Sequence, residues 1–406
     1  MTARPSRLSI TSWIFYDFAN TIFSMNVISL YFALWVTVDK GGRDIFYSIT
    51  LSSSMLLVAL SMPVFGAISD QTGERRRPLT LLTVICCIAT ALIGSADGLI
   101  EGLLFFFIAN YCYQSSMVFY NGMLADMSQG DHGGVVSGLG VSAGYLGAIG
   151  GLIVVKPFVA EAGRTAAFLP TAAMFLFFAL PCFIFVRDPK KQNPKPANWG
   201  EAFTTLKETF LKARNHRYLI KFVCIHFLVL DVVNTIIVFM SVYANKVIGF
   251  DDSKINSFMV LATVAAMIGA ALIGWIVRVR GSRWTYSLVL AIWVVALFTA
   301  VVSQSETVFW VVGPLAGIGM GGVWVVSRTF LIELCSPKKI GEFFGLYGMA
   351  GKMASIIGPL LWGATVMIFE ETQTFKYRAA VAILLFLTIV ASGVYRSLLN
   401  DLKMGG

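Results

Sequence analysis

The sequence GAISDQTGER at residues 66–75 recurs as GWIVRVRGSR at residues 274–283, with its two glycines and its final arginine at a constant offset of 208. A second element also repeats, because DFANTI at residues 17–22 matches DVVNTI at residues 231–236 at an offset of 214. Similarity at a fixed period indicates that one unit was duplicated. Both copies run in the same direction along the chain, so the sequence predicts two halves of equal architecture and orientation.

The composition around these repeats is that of a membrane protein. Of the 406 residues, 57% are hydrophobic and 13% are charged, and the mean hydropathy is +0.76. A soluble domain carries about 25% charged residues, so this chain has too little polar surface to fold as a globule in water. These figures exclude a soluble enzyme, a large extracellular domain and a nucleic-acid-binding module. The net charge of +9 is of the kind that membrane proteins place on cytoplasmic loops.

Twelve apolar stretches are long enough to cross a bilayer, which takes about 20 residues per crossing. They lie at residues 9–37, 45–69, 79–96, 102–124, 135–156, 165–186, 218–245, 255–277, 284–303, 308–331, 342–369 and 378–396. With both termini in the cytoplasm, 21 of the 31 Lys and Arg residues fall on cytoplasmic segments, as the positive-inside rule requires. We therefore predict an all-α integral membrane protein of twelve helices, with six-helix halves at residues 1–186 and 218–406.

The longest loop, at residues 187–217, joins the two predicted halves on the cytoplasmic side. Its apolar residues Trp199, Phe203, Leu206 and Phe210 are spaced so that they line one face of a helix. This pattern predicts an interfacial helix on the inner leaflet, and a linker without a further role is the alternative.

Polar residues inside membrane spans are costly and usually mark function. The interiors of spans 2, 3, 5, 6, 8, 9 and 12 contain no Asp, Glu, Lys, Arg, His, Asn or Gln, whereas spans 1, 4, 7, 10 and 11 do. We predict that these polar side chains form the substrate and coupling cavity. The candidate residues are Asp17, Asn20, Asn26, Asn110, Gln114, Tyr120, Asn121, His226, Asp231, Asn234, Arg328 and Lys352.

Three of these residues carry charges near the middle of their spans, namely Asp17, Asp231 and Lys352. Two acids and one base leave one carboxylate unbalanced, and a desolvated carboxylate tends to take up a proton. We expect Asp17 or Asp231 to be the proton-coupling site and the other to pair with Lys352. The alternative is a structural charge network that holds the two halves together.

The loop that follows span 2 has the residues of a gate rather than of a substrate site. Gly73 permits a tight turn, Asp70 lies at a helix end, and the arginines can reach carboxylates or lipid phosphates. We predict that the loop latches the inner gate, and topology determination by positive charge is the alternative reading. The gating residues are Gly66, Asp70, Gly73, Arg75 and Arg76.

The second copy of this loop and the fifth span add two expectations. Arg278 replaces the acid in the second copy, so a latch there must use another partner, such as Glu333 or Arg328. In span 5, the small residues at positions 140, 144, 147 and 151 are all glycines that share one helical face. Such a face allows close packing against a neighbouring helix.

The G-x-x-x-D-x-x-G-x-R-R pattern of residues 66–76 resembles the signature loop of the major facilitator superfamily. A narrower resemblance lies in WIFYDFANTIFS at residues 13–24, FYNGMLAD at residues 119–126 and VSGLGVSAGYLG at residues 136–147. These stretches are similar to the branch that contains the autophagy-related vacuolar amino-acid effluxers and their bacterial relatives. The resemblance implies alternating access around a cavity lined by spans 1, 4, 7 and 10, and export of amino acids.

The expected function is therefore secondary active transport of small polar solutes in a multi-pass protein of the bacterial cytoplasmic membrane. Its expected partners are a small-molecule substrate, protons or another coupling cation, and the lipid bilayer. We expect a monomer that is not an enzyme and has no cofactor, no metal site and no nucleic-acid partner. The alternative functions are a cation-coupled sugar or glycoside symporter, an exporter of drugs or lipids, and a membrane sensor that does not transport.

Overall fold

The computed structural model describes residues 6–42, 44–127, 133–188, 200, 204, 217–336 and 339–404. Within these ranges the chain is helical and contains no strand. Twelve helices are long and apolar enough to cross a membrane. They are α1 (Arg7–Asp39), α2 (Asp44–Thr72), α3 (Arg76–Ile93), α4 (Leu99–Met127), α5 (Gly133–Ala162), α6 (Phe168–Phe185), α7 (Arg217–Ile248), α8 (Asp252–Arg280), α9 (Ser282–Val302), α10 (Glu306–Leu334), α11 (Ile340–Ile368) and α12 (Phe375–Met404).

All twelve predicted spans are confirmed, and most helices extend beyond the predicted limits. The last span, predicted at residues 378–396, belongs to a helix that runs from Phe375 to Met404. Hydropathy detects only the apolar middle of such a helix, whereas its backbone hydrogen bonds continue into polar ends. The predicted interfacial helix at residues 199–210 lies outside the described residues, apart from Gly200 and Thr204.

Helix α1 departs from regular α-helical geometry in its second half. It is α-helical from Arg7 to Phe23 and then π-helical over Ser24–Tyr31 and Trp35–Asp39. The hydroxyl of Tyr47 on α2 donates a hydrogen bond of 2.8 Å to the carbonyl of Ile28 inside the first π-helical stretch. Residue periodicity did not predict this change, and π-helical segments are frequently found at functional sites.

The chain forms two compact units. The first comprises Met1–Glu208 and Ser336–Met349, and the second comprises Thr209–Cys335 and Ala350–Gly406. In the first unit the packed helix pairs include α1 with α6, α2 with α4, α3 with α4, and α3 with α6. In the second unit the pairs α7 with α12, α8 with α10, α9 with α10, and α9 with α12 take the corresponding places. The same packing therefore accompanies both copies of the sequence repeat.

The predicted glycine face of α5 is confirmed, because this face packs directly on α1. A Cβ atom on Gly147 would lie 2.1 Å from the carbonyl oxygen of Phe18, and one on Gly151 would lie 2.9 Å from the side chain of Ile22. Side chains at these positions would push the two helices apart. The glycines thus set the close approach that brings α5 against the polar residues of α1.

Candidate functional site

In the first unit, Asp17 lies buried on α1 with its charge partly satisfied by its own helix. The Nδ2 of Asn20 donates a hydrogen bond of 3.1 Å to Oδ1 of Asp17. The hydroxyl of Thr21 donates to the main-chain carbonyl of Asp17 at 2.7 Å. Helix α5 closes over this group, since a Cβ atom on Gly140 would lie 3.0 Å from Oδ2 of Asp17, and one on Gly144 would lie 2.9 Å from the Thr21 hydroxyl.

In the second unit, Asp231 on α7 has the same surroundings but lacks the amide partner. Only 1% of the residue is exposed, and neither carboxylate oxygen has a hydrogen-bond partner of good geometry in the described part of the chain. The hydroxyl of Thr235 donates to the main-chain carbonyl of Asp231 at 2.7 Å. A Cβ atom on Gly358 of α11 would lie 2.0 Å from that hydroxyl and 3.1 Å from the carboxyl carbon of Asp231.

These two contacts are similar, because in each unit a threonine four residues after the acid bonds the main-chain carbonyl of that acid and lies against a glycine of a neighbouring helix. The two acids nevertheless differ in hydrogen bonding, since among the described residues only Asp17 accepts a bond from a side-chain amide. Among the described residues Asp231 forms no ion pair, so in this structure it is not the acid that pairs with Lys352.

The predicted amides of α4 are bonded within the first unit. The Nδ2 of Asn110 donates to the hydroxyl of Ser54 on α2 at 2.7 Å, and Gln114 donates to Asn110 at 3.5 Å. The first bond ties α4 to α2, and the second lies within α4. Asn121 lies two turns after Gln114 on the same helix and is buried. Its side-chain carbonyl has no hydrogen-bond partner among the described residues. The sequence did not predict the role of Ser54, because serine was not among the polar residue types counted inside the spans.

Tyr120 is a packing residue at the contact of α1 with α4. Its ring stacks on Trp13 with 4.4 Å between centroids and on Tyr16 with 4.9 Å. Its hydroxyl donates to the carbonyl of Trp13, and the indole Nε1 of Trp13 donates back to the carbonyl of Tyr120. Sequence reasoning did not single out Trp13 and Tyr16, although Trp13 lies one turn before Asp17 and therefore on the same face of the helix.

Asn26 lies in the π-helical part of α1 and is fully buried. Neither atom of its side-chain amide has a hydrogen-bond partner among the described residues, and the amide nitrogen faces Gly151 of α5. A buried polar group without a partner costs about 1–3 kcal/mol. Asn26 is thus another predicted site residue, beside Asp231 and Asn121, with a side-chain atom that makes no hydrogen bond of good geometry among the described residues.

The remaining predicted residues belong to the second unit. His226 is fully buried on α7 with its ring 6.2 Å from that of Phe222, and Arg328 is buried on α10. Asn234 on α7 and Lys352 on α11 are half-buried. All four residues therefore lie on α7, α10 and α11, which are the helices of this unit that the sequence predicted to carry polar residues.

The predicted gating loop contacts the start of α11. The two carboxylate oxygens of Asp70 accept hydrogen bonds from the backbone N–H groups of Gly341 and Glu342, each at 2.8 Å. These N–H groups belong to the first turn of a helix, which has no internal acceptor for them. Gly66 allows this approach, since a Cβ atom there would lie 2.0 Å from the carbonyl oxygen of Gly341.

Arg75 holds the gating loop together from within. Its guanidinium contacts Asp126 at 2.5 Å, the carbonyl of Gly122 at 3.0 Å and Asp70 at 3.7 Å. Gly73 precedes it with a φ of +73°, a conformation that favours glycine. The sequence did not predict that Asp126 pairs with Arg75, and this residue appeared only as the last one of the FYNGMLAD motif at residues 119–126.

Asp188, at the start of the linker, completes this network. Its carboxylate accepts hydrogen bonds of 3.0 Å from the backbone N–H groups of both Arg75 and Arg76, and so caps α3. Partial burial raises the pKa of Asp188, while these N–H donors and the two arginines act in the opposite direction. No sequence pattern indicated this cap.

Known proteins with similar sequences place the chain in a family. The sequence profile described as "Vacuole effluxer Atg22 like" matches residues 43–404. The chain belongs to this Atg22-like family. An uncharacterized MFS-type transporter of Bacillus subtilis, YxiO, is 24% identical over 401 residues, which are 94% of this chain and 93% of that protein. Autophagy-related protein 22 of Kluyveromyces lactis is 25% identical over 283 residues, or 64% of this chain and 56% of that protein.

Solved structures agree with the fold of this Atg22-like chain. The human organic anion transporter MFSD10 superposes with a TM-score of 0.78 at 15% identity, covering 96% of this chain and 99% of that one. A bacterial homologue of the iron transporter ferroportin, in an outward-facing state, superposes with a TM-score of 0.74 at 16% identity, covering 97% and 100%. The family match, the MFS-type relative and this fold together make the chain a transporter of the major facilitator superfamily.

Proposed function

We propose that this Atg22-like chain exports small polar solutes, with amino acids as the first candidates, in exchange for protons that bind to Asp231. The membership of an effluxer family supports the direction of transport. The buried amides and charged side chains on α1, α4, α7, α10 and α11 support a substrate that carries both donors and acceptors, as an amino acid does.

The observation that carries the coupling proposal is the environment of Asp231. Neither carboxylate oxygen of Asp231 makes a hydrogen bond of good geometry with the described residues, and burial removes water from the group, so its charged form is disfavoured. Asp17 differs in this respect, since Asn20 donates to it. We therefore assign proton binding to Asp231 and not to Asp17.

The packing of α11 provides a route by which conformational change can alter the charge of Asp231. Gly358 lies against the carboxylate, and Pro359 follows it within the helix. Proline removes one backbone hydrogen bond and weakens the helix at this point. When α11 moves away from α7, water reaches the carboxylate and the proton leaves. Binding and release of the proton are thereby linked to the transport cycle.

We propose that the contact of Asp70 with the start of α11 is the inner latch of this cycle. Two charge-assisted hydrogen bonds to a helix N-terminus favour the latched state. Arg75 holds Asp70 and Asp126 in place, and Gly66 lets the two helices approach.

Transport in proteoliposomes tests the coupling proposal. A mixture of labelled amino acids is supplied with and without a pH gradient, and uptake is compared for the wild-type protein and the Asp231→Asn and Asp17→Asn variants. One proton per substrate converts one pH unit into an accumulation of about tenfold at most. We expect Asp231→Asn to lose this accumulation and to retain exchange of substrate in the absence of a gradient.

The matched control is Asp39→Asn, which removes an acid at the end of α1 that is paired with Arg164. Its uptake should keep the pH dependence of the wild type. Unchanged pH dependence in both site variants, or its loss only in Asp17→Asn, contradicts the assignment of Asp231.

A thermal-shift screen of the purified protein with amino acids, sugars and drugs tests the substrate class. We expect amino acids to raise the melting temperature, because a ligand that binds only the folded protein stabilises it. Stabilisation by sugars without any effect of amino acids would overturn the proposed substrate class and would favour a sugar symporter.

A further inference from the structure

The two copies of the repeated loop differ in how their arginines are neutralised. In the first copy, Arg75 is buried against Asp126, and Arg77 pairs with Glu74 at 2.9 Å. The second copy, between α8 and α9, has Arg278 in place of Asp70 and Ser282 in place of Glu74. Only Arg283 corresponds to an arginine of the first copy, and the second copy has gained Arg278 and Arg280 while losing the acids that the first copy supplies from within the loop.

The arginines of the second copy point outward. Arg278, Arg280 and Arg283 are all exposed, and within residues 217–336 and 339–404 none of them forms a salt bridge. The carboxylate near Arg283 is that of Glu333, which already accepts a hydrogen bond of 2.5 Å from the hydroxyl of Ser282. The loop consequently presents an excess of positive charge at the end of two membrane-spanning helices.

Two tryptophans flank this positive charge. Trp275 on α8 is 57% exposed and Trp284 on α9 is 51% exposed, and the guanidinium of Arg280 lies 5.7 Å from the ring centroid of Trp284. Tryptophan is enriched at the level of the lipid headgroups, where its ring meets both apolar and polar surroundings. The exposed rings thus place the arginines at the membrane surface.

An exposed apolar stripe runs along α8 from the middle of the helix to the arginines at its end. Ile268, Leu272, Trp275 and Val279 are each more than half exposed. Their spacing of three and four residues puts them on one face of the helix. A ligand that bridges this stripe and the arginines needs an apolar tail below a negatively charged head.

We propose that the α8–α9 loop binds the headgroup of an anionic phospholipid, with Arg278 and Arg280 on the phosphate and an acyl chain along α8. Arginine suits this role because its planar guanidinium binds phosphate oxygens through two hydrogen bonds. The headgroup supplies to the second copy the negative charge that carboxylates supply to the first. A soluble anion would satisfy the arginines but would leave the apolar stripe uncovered.

Energy transfer from tryptophan to a dansyl-labelled lipid tests this proposal. Dansyl-phosphatidylglycerol is titrated into the full-length protein in detergent at low and high NaCl. Each basic residue near an anionic surface contributes about fivefold in affinity. We expect the double variant Arg278→Gln/Arg280→Gln to bind about 25-fold more weakly and with a smaller salt dependence.

Two matched variants control for nonspecific effects. Arg77→Gln removes an exposed arginine from the first copy, where Glu74 already neutralises it, and should leave the lipid affinity unchanged. Arg278→Lys/Arg280→Lys keeps the charge but loses the paired hydrogen bonds, so its affinity should lie between those of the wild type and the Gln double variant. Equal weakening in the Gln and Lys double variants contradicts a headgroup site.

Competition identifies the ligand. Unlabelled phosphatidylglycerol should displace the probe, whereas phosphatidylcholine and inorganic phosphate should not. Displacement by millimolar inorganic phosphate would show a site for free anions and would overturn the lipid assignment. Equal affinity of the wild type and the Gln double variant would overturn the site itself.

Discussion

The sharpest test of the inner latch is Gly66→Ala. The new Cβ atom would lie 2.0 Å from the carbonyl oxygen of Gly341, whereas such contacts do not fall below 3.0 Å. The start of α11 and the end of α2 must therefore separate by about 1 Å. The hydrogen bonds from Gly341 and Glu342 to Asp70, now 2.8 Å each, would lengthen to about 3.8 Å and break.

The expected loss of latch stability follows from these two bonds. A hydrogen bond to a charged group contributes about 1.5–3 kcal/mol, and the lower figure applies here because Asp70 lies near the end of α2. Two such bonds amount to about 3 kcal/mol, or roughly a 100-fold change in the opening equilibrium. Alanine is also a better helix former than glycine by about 0.5–1 kcal/mol. That effect has the opposite sign and is smaller, so the clash decides the outcome.

Hydrogen–deuterium exchange of the full-length protein in nanodiscs measures this change. The N–H groups of Gly341 and Glu342 lie in the first turn of α11 and have Asp70 as their acceptor. We expect peptides that cover residues 340–349 to exchange up to about 100-fold faster in Gly66→Ala than in the wild type.

Gly363→Ala is the matched control, because it makes the same substitution on α11 at a position with no atom within 4 Å. It should leave the exchange of residues 340–349 unchanged. The latch is refuted if Gly66→Ala exchanges at the wild-type rate, or if the control accelerates exchange equally.

Three further predictions test the two units separately. Gly358→Ala would place a methyl group 2.0 Å from the hydroxyl of Thr235, so proteoliposome uptake should be lost; uptake at the wild-type level would contradict a role for this contact. Arg75→Gln removes the buried guanidinium that pairs with Asp126 and should lower stability by about 3 kcal/mol. The exposed Arg77→Gln should change stability by less than about 1 kcal/mol, and equal melting temperatures of the two variants would refute the difference. Asp188→Ala removes a helix cap worth about 1 kcal/mol, so the first turn of α3 should exchange faster, and unchanged exchange would exclude the cap.

The sequence alone predicted the twelve spans, the duplication and the transporter superfamily. Hydropathy is summed over about 20 consecutive residues, so each span can be predicted without knowing which helices pack against it. The glycine face of α5 was also readable, since helical periodicity places Gly140, Gly144, Gly147 and Gly151 on one side. The loop at residues 66–75 was recognisable because its glycine, acid and arginine spacing recurs.

Hydrogen-bond partners were decided only by the tertiary structure. Asp70 binds backbone groups 271 residues away, and Asn110, which the sequence assigned to a substrate cavity, binds Ser54 on a neighbouring helix. The repeat predicted that Asp17 and Asp231 are equivalent, yet among the described residues only the first accepts a bond from a side-chain amide. A local pattern shows that a polar group is buried, whereas the helices packed around that group determine whether it is satisfied, and hence whether it can exchange a proton.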